Sequence, residues 1–417
     1  MSEKKLPLNE SEFLKKIEGI PTPFHLYDEK AILENAENFK KAFNWAPGFT
    51  NFFAVKACPN PAILTRLAKL GFGADCSSLP ELLLSKASGI KGEKIVFTSN
   101  DTPAEEFRVA YELGTIINHD DITHIDFLYD ALGKKFPELI CFRYNPGPDR
   151  TGNAIIGNPV EAKYGVTKDQ LFECYKKAKA LGAKRFGLHT MVASNELNGD
   201  YIVETARMLF TLVNDIKREL DIDIEFIDMG GGIGSPYRLE DERIDLADLS
   251  AKIEALYKEY NQKVRLTFEC GRMITGPYGY LVTKALHVTK KYKDYIGLDA
   301  CMADLMRPAL YGSYHHITVV GKSGLAKDHT YDVTGSLCEN NDKFAIDRKL
   351  PKVDEGDILV IHDTGAHGHS MGFNYNAKLR HAEYLLTSDN KLVMIRRAET
   401  YDDYVKTLRF EGAEVEV

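Results

Sequence analysis

The stretch 51–57, NFFAVKA, is a compact run of apolar and aromatic residues, and residues 61–70, PAILTRLAKL, follow it with apolar positions at helical spacing. The same strand-then-helix pattern recurs downstream. Further β-rich runs stand at 72–76, 94–98, 115–118, 138–144, 185–189, 224–229 and 264–269. Helical spacing returns at Leu79–Ser88, Ala104–Leu113, Lys168–Leu181, Tyr201–Leu220 and Leu246–Tyr260. Alternation of this kind implies parallel strands joined by crossover helices. Eight such strands precede residue 270, the number that closes a (β/α)8 barrel. Upstream, a short β-like run at Phe24–Tyr27 leads into the first helix of the barrel, at about Glu29–Phe43.

The pattern changes after about Pro277. Strands separated by turns are expected at Tyr280–Thr289, His316–Val320, Tyr331–Val333, Asp357–His362 and Lys391–Arg396, and helical periodicity is scarce. The fold class is therefore α/β, a TIM-like barrel followed by an antiparallel β-barrel or sandwich domain. The expected domains are 28–280 for the barrel, and 1–27 together with 281–417 for the β domain.

Composition fits a soluble, cytoplasmic protein. The chain has 417 residues, 44% hydrophobic and 27% charged. Lys and Arg number 53 against 61 Asp and Glu, a formal charge of −8 that favours neither nucleic acid nor an anionic membrane as partner. Seven cysteines are scattered from Cys58 to Cys338 with no C-x-x-C pair, as free thiols in a reducing compartment would be. The polar start, Met1 to Glu10, lacks the apolar core of a secretory signal, and no apolar run is long enough to span a bilayer.

Barrel active sites form where the strands end. Lys56 closes the first strand, Asp75 the second, and Ser99 and Asn100 follow the third. Arg143 and Asn145 close the fifth and His189 the sixth, while the seventh and eighth run into Gly230-Gly231-Gly232-Ile233-Gly234 and Glu269-Cys270-Gly271-Arg272. A lysine in an apolar strand is expected to have its pKa lowered by desolvation, as Schiff-base chemistry with an aldehyde requires. In isolation such a lysine more often snorkels its head to the strand end. The glycine run can turn tightly and present backbone N–H groups to an anion, although a glycine turn alone is as often structural. It lacks the last glycine of G-x-G-x-x-G, where Ser235 stands, which disfavours a dinucleotide. Glu269 can hold a pyridine nitrogen protonated, and Arg272 can grip a phosphate or carboxylate. Singly, each is more easily a rim salt bridge.

Taken together, these residues resemble the fold-type III pyridoxal-phosphate decarboxylases, particularly the diaminopimelate branch. The resemblance rests on Ala54-Val55-Lys56-Ala57, Gly73-Ala74-Asp75, Met229 to Gly234, and Glu269-Cys270-Gly271-Arg272. It continues in Arg307-Pro308-Ala309-Leu310-Tyr311, Cys338-Glu339-Asn340-Asn341-Asp342 and Ser370 to Asn376. It implies pyridoxal 5'-phosphate carried on Lys56, with Asp75, His189 and Tyr375 near it. Gly231, Gly232 and Gly234 would hold its phosphate, and Glu269 would meet its ring nitrogen. Arg272, Arg307 and Tyr311 would bind substrate carboxylate or phosphate, with Cys338 as proton donor and Glu339 at the distal ammonium. It also implies a homodimer with shared active sites, converting meso-diaminopimelate to L-lysine and carbon dioxide. Alternatives on the same scaffold are a decarboxylase of carboxynorspermidine or of a D-lysine or ornithine type substrate, and an inactive regulatory relative.

The sequence departs from the family pattern at 189–194, His-Thr-Met-Val-Ala-Ser, where Met191 stands in place of the ring-stacking histidine. Cys270 replaces a proline, and His367 a tyrosine near the phosphate. No metal is expected, since His362, Asp363, His367 and His369 match no standard ligand spacing. The pair His315-His316 reads as a strand-edge feature.

Overall fold

The computed structural model describes residues 4–152 and 155–411 and divides into two compact units. The larger unit comprises residues 31–236 and 240–277, and the smaller comprises 1–30, 237–239 and 278–417. The first three residues of the polar N-terminus lie outside the described residues.

In the smaller unit, β1 (Phe24–Asp28) precedes the barrel in sequence. The larger unit holds β2 (Thr50–Ala54), β3 (Gly73–Cys76), β4 (Ile95–Thr98), β5 (Ile116–His119), β6 (Leu139–Tyr144), β7 (Arg185–Thr190), β8 (Ile224–Asp228) and β9 (Arg265–Phe268). All neighbours pair in parallel, and β2 closes on β9, so the barrel expected from the alternation is present. Each β-rich run of the sequence became one of these strands. The helices start where side chains can satisfy their first N–H groups. Thr167 and Gln170 form a capping box, Asn60 caps a helix with Pro61 at its first position, and Asp245 accepts from Ala247 and Asp248. The longest helix, Gly199–Leu220, buries Ile202, Ala206, Leu209, Val213 and Ile216, one face at helical spacing.

Strand side chains alternate, so positions two apart share a face. Phe52, Val96, Ile116, Leu139, Cys141 and Phe226 form one apolar cluster in the barrel. One step further along the same strands stand Thr98, Asn118, Arg143 and Asp228, all but Thr98 buried. Period two thus sorts the interior into an apolar plug and, towards the strand C-termini, a polar layer. Each fully buried Phe or Leu of the plug contributes about 1.5–3 kcal/mol relative to exposure.

The smaller unit contains β10 (Gly279–Lys290), β11 (Asp294–Leu298), β12 (Ile317–Val319), β13 (His329–Thr334), β14 (Lys343–Leu350), β15 (Ile358–Ile361), β16 (Ala382–Leu386) and β17 (Leu392–Arg396). Its strand order is β14-β13-β11-β10-β1-β16-β17, with β15 pairing both β10 and β12. The sheet is antiparallel except at β1–β16 and β11–β13, which are parallel. β1 lies between β10 and β16, with Phe24 opposite Val282 on one side and Ala382 on the other. Strands β11, β14 and β16 and the helix Glu10–Ile17 were not foreseen, because half-polar segments such as KFAIDRKL carry no clean alternation. No described helix is long and apolar enough to cross a membrane.

Gly187 of β7 is where the plug is tightest, since a Cβ there would lie 2.2 Å from Phe226 Cζ. Gly187→Ala is expected to lower stability by about 1–3 kcal/mol through overpacking. A urea midpoint equal to that of the parent would show that Phe226 can move aside.

Candidate active site

The polar layer at the C-terminal end of the barrel brings together the residues that the strand-end reading picked out in this unit. Lys56 lies on a short 3-10 turn, Val55–Ala57, just past β2 rather than within the strand. Its side chain is 54% exposed, and its Nζ sits 3.2 Å from Oδ2 of Asp75, which is buried on β3. Ala54 and Asp75 are paired in register, so the two strands deliver the ion pair. The expectation of a lysine pKa lowered by desolvation is overturned. Asp75 raises it above the ordinary value, outweighing the partial desolvation of the half-exposed side chain, and Glu269 adds to the rise.

Glu269 follows β9 and is buried. Its Oε2 shares a 3.1 Å hydrogen bond with Nε2 of His189 on β7. Its Oε1 has no partner among the described residues, nor do Oδ1 of Asp75, Oδ2 of Asp228 and Nδ1 of His189. Burial, reinforced by Asp75, pushes the Glu269 carboxyl up to about 8, against the pull of Lys56 and Arg143. Burial and the charge of Glu269 push Asp228 up to about 7. Burial lowers His189 to about 4, so its contact with Glu269 is a hydrogen bond of a neutral imidazole rather than an ion pair. Arg143 extends from β6 with its guanidinium 3.9 Å from the Tyr164 ring and Nη1 3.4 Å from Asp120, which also accepts from Asn100.

The glycine run turns as expected, with Gly230 at φ +66° and Gly232 at φ +101°. A Cβ on Gly232 would lie 2.6 Å from the Ala193 carbonyl oxygen, so only glycine fits. The expectation of a row of outward N–H groups needs correction. Gly230 donates to Asp228 Oδ1 at 2.8 Å, Gly231 to the Met191 sulfur at 3.1 Å, and Gly234 to the Glu196 carbonyl at 2.7 Å. The N–H of Gly232 has no acceptor among the described residues. Arg272 opens the helix Arg272–Thr275, its Nη2 3.5 Å from Ser194 Oγ.

The remaining predicted residues lie in the smaller unit. Arg307 is 2% exposed, its guanidinium 4.6 Å from the Tyr237 ring and Nη1 3.0 Å from His315 Nε2. His315 is accordingly a buried partner of Arg307, not a strand-edge feature, and its Nδ1 donates to the His362 carbonyl oxygen at 2.8 Å. Tyr311, Tyr375 and Cys338 are exposed, and Glu339 is half-buried. The other six cysteines are all buried. Cys338 N–H donates to Asn376 Oδ1 at 2.7 Å, which joins the loops that carry Cys338 and Tyr375. Asp342 orders the first of these by accepting from Leu337 N–H and Met302 N–H. The histidine-rich segment goes to separate duties, with His362 bonded to Thr318, Asp363 to Lys4, and His369 to the His381 carbonyl. Asp228 and Tyr237 escaped the sequence reading. Only Asp228 left a signal there, as the last strand residue before the glycine run.

A group with an aldehyde, a protonated ring nitrogen and a phosphate finds fitting residues at this barrel end. Lys56 offers the amine, the orphaned Glu269 Oε1 an acceptor, and Gly232 with Arg272 donors for an anion. Comparison with known proteins agrees. Residues 29–276 match the family described as pyridoxal-dependent decarboxylase, pyridoxal binding domain. The chain belongs to this family. It is a pyridoxal-phosphate-dependent amino-acid decarboxylase. Among its relatives, Protein TabA of Pseudomonas amygdali pv. tabaci is 41% identical over 95% of this chain and 93% of the relative. A diaminopimelate decarboxylase of Methanothermobacter thermautotrophicus is 33% identical over 92% and 91%. The crystal structure of diaminopimelate decarboxylase from Helicobacter pylori complexed with L-lysine superposes at a TM-score of 0.85, with 30% identity over 95% of this chain and 98% of that one. The resemblance and the fold class drawn from the sequence are both upheld.

In the cofactor-free protein, Asp75→Asn is expected to lower the Lys56 pKa, because the carboxylate that favours the ammonium is removed. The pH dependence of Lys56 modification by trinitrobenzenesulfonate, read by mass spectrometry, measures it. A profile unmoved by the substitution would show that Asp75 does not govern the lysine.

Proposed function

We propose that this decarboxylase converts meso-diaminopimelate to L-lysine and carbon dioxide, the closing step of lysine biosynthesis, as a cytoplasmic homodimer with shared active sites. The observation that carries the reading is the match, along more than nine-tenths of both chains, to a named diaminopimelate decarboxylase. Arg307-Pro308-Ala309-Leu310-Tyr311 and Cys338-Glu339 supply the cation, phenol and carboxylate that a substrate with an amino-acid group at each end requires. Glu339 suits a distal ammonium, and Arg307 or Arg272 a carboxylate.

When bound, pyridoxal phosphate supplies the electron sink into which the carbon–carboxylate bond breaks. In this reading Lys56 holds the cofactor, and the ammonium favoured by Asp75 gives up its proton as it does so. Glu269 offers Oε1 to the ring nitrogen. Gly231, Gly232 and Gly234 with Arg272 hold the phosphate, and Asp75, His189 and Tyr375 complete the surroundings. For the phosphate role, the N–H groups of Gly231 and Gly234 must exchange their present acceptors or leave the task to Gly232 and Arg272. Cys338 returns a proton to the reacting carbon from the partner subunit's side.

A second reading, another diamino acid on the same scaffold, is favoured by Met191. Its thioether stands where an imidazole is expected and is bonded to Gly231 N–H. Carboxynorspermidine and D-lysine or ornithine type substrates are the candidates. The purified protein with added pyridoxal phosphate should release lysine and carbon dioxide in equal amounts from meso-diaminopimelate. A yellow complex inert towards that substrate but active on another diamino acid would transfer the assignment to the second reading. Cys338→Ala should slow turnover by about a hundredfold or more while leaving cofactor affinity within about twofold. Unchanged turnover would remove Cys338 from the mechanism.

A further inference from the structure

His189, Asp228 and Glu269 each place one nitrogen or oxygen within 4.8 Å of the others, all buried at the end of the barrel. Strand pairing sets His189 beside Asp228 on one side and beside Arg143 on the other. A neutral imidazole has a single N–H, so it can donate to Glu269 only if that proton is on Nε2 and Nδ1 carries the lone pair. Asp228 has Oδ1 committed to Gly230 N–H, which leaves Oδ2 as its only unengaged atom. That oxygen and Nδ1 of His189 bond neither each other nor any other described residue, so Glu269 is the hydrogen-bond partner of the imidazole among the described residues. The opposite tautomer would pair with a Glu269 protonated on Oε2, the form that burial favours before the cofactor is bound; a pyridinium needs the ionised carboxylate as its acceptor and so would select the first arrangement.

We propose that His189 is a positioning residue for the ring nitrogen: it occupies Oε2 of Glu269 through Nε2–H and leaves Oε1 as the acceptor. The inference rests on the reading of Glu269 as the ring-nitrogen partner. A carboxylate with neither oxygen engaged is free to rotate and is costly to keep ionised when buried, and one fixed donor lessens both penalties. The other charged groups facing Glu269 are Lys56 and Asp75, from beyond β2 and on β3, and Arg143 on β6. They act through space and do not select one oxygen. His189 does.

The test uses holoenzyme reconstituted with pyridoxal phosphate carrying a nitrogen isotope in the ring, whose NMR shift reports protonation without turnover. In the parent, the ring nitrogen stays protonated through neutral and mildly alkaline pH. In His189→Phe the midpoint for its loss should fall by about one pH unit or more, a tenfold drop in the protonated ratio. His189→Gln, whose amide can still donate to Oε2, should restore most of the difference. Should the Phe variant fail to fold, His189→Asn, too short to reach Oε2, takes its place with the same expectation. A parent-like titration in Phe or Asn, alongside a shifted one in Glu269→Gln, overturns the positioning role and leaves Glu269 standing. A parent-like titration in Glu269→Gln removes the Glu269 reading itself, and the inference with it.

Discussion

Closing eight parallel strands into a barrel leaves the inward side chains with no solvent face, and the C-terminal layer of this barrel is ionisable. Asp75, Asp228 and Glu269 are all nearly dry there, with Lys56 and Arg143 as the cations that act on Glu269. Desolvation therefore dominates the behaviour of the carboxyl groups at Asp228 and Glu269. The apolar plug beneath them, with Phe226 packed where Gly187 lacks a side chain, supports that layer from below. Order at the site is in this sense a by-product of packing. The same strands that fill the barrel carry Asn118, Arg143 and Asp228 two positions further on.

The barrel was legible because each strand is short, apolar and followed by a helix with a clear stripe, and the rim residues followed from where the strands ended. What escaped is what has no sequence periodicity. The contact of Arg307 with the Tyr237 ring joins segments some seventy residues apart, and its pairing with His315, eight residues on, follows no helix or strand period. The Lys56 environment was misread for a related reason. Its own segment is apolar, but the decisive neighbour, Asp75, arrives from the next strand. A local reading sees desolvation and misses the counter-charge, and at 3.2 Å the counter-charge wins. The glycine run was recognised as a turn from composition alone, but where its N–H groups point depends on Asp228, Met191 and Glu196, which only the fold brings near.

The β-rich unit shows a different economy. Its strands hold two apolar clusters, while Tyr311 ends the short helix Arg307–Tyr311, Tyr375 opens a 3-10 turn, and Cys338 and Glu339 stand on a loop. Loops tolerate substitution better than barrel strands do, and the loop bearing Cys338 is nonetheless fixed by Asp342 and Asn376. The barrel layer is thus set by strands, and these side chains by separately anchored segments outside the strands.

One bond makes that division less free than it looks. Asp228 ties the first glycine of the turn through Oδ1 while its other oxygen belongs to the buried acid cluster. A single side chain thereby couples the glycine turn to the buried carboxyl cluster. Drift at position 228 would be felt at both ends of the site at once, so a compensating change at one end could not rescue the other. Diversification of such a scaffold is channelled outward, to the loops, because its interior cannot be altered one part at a time.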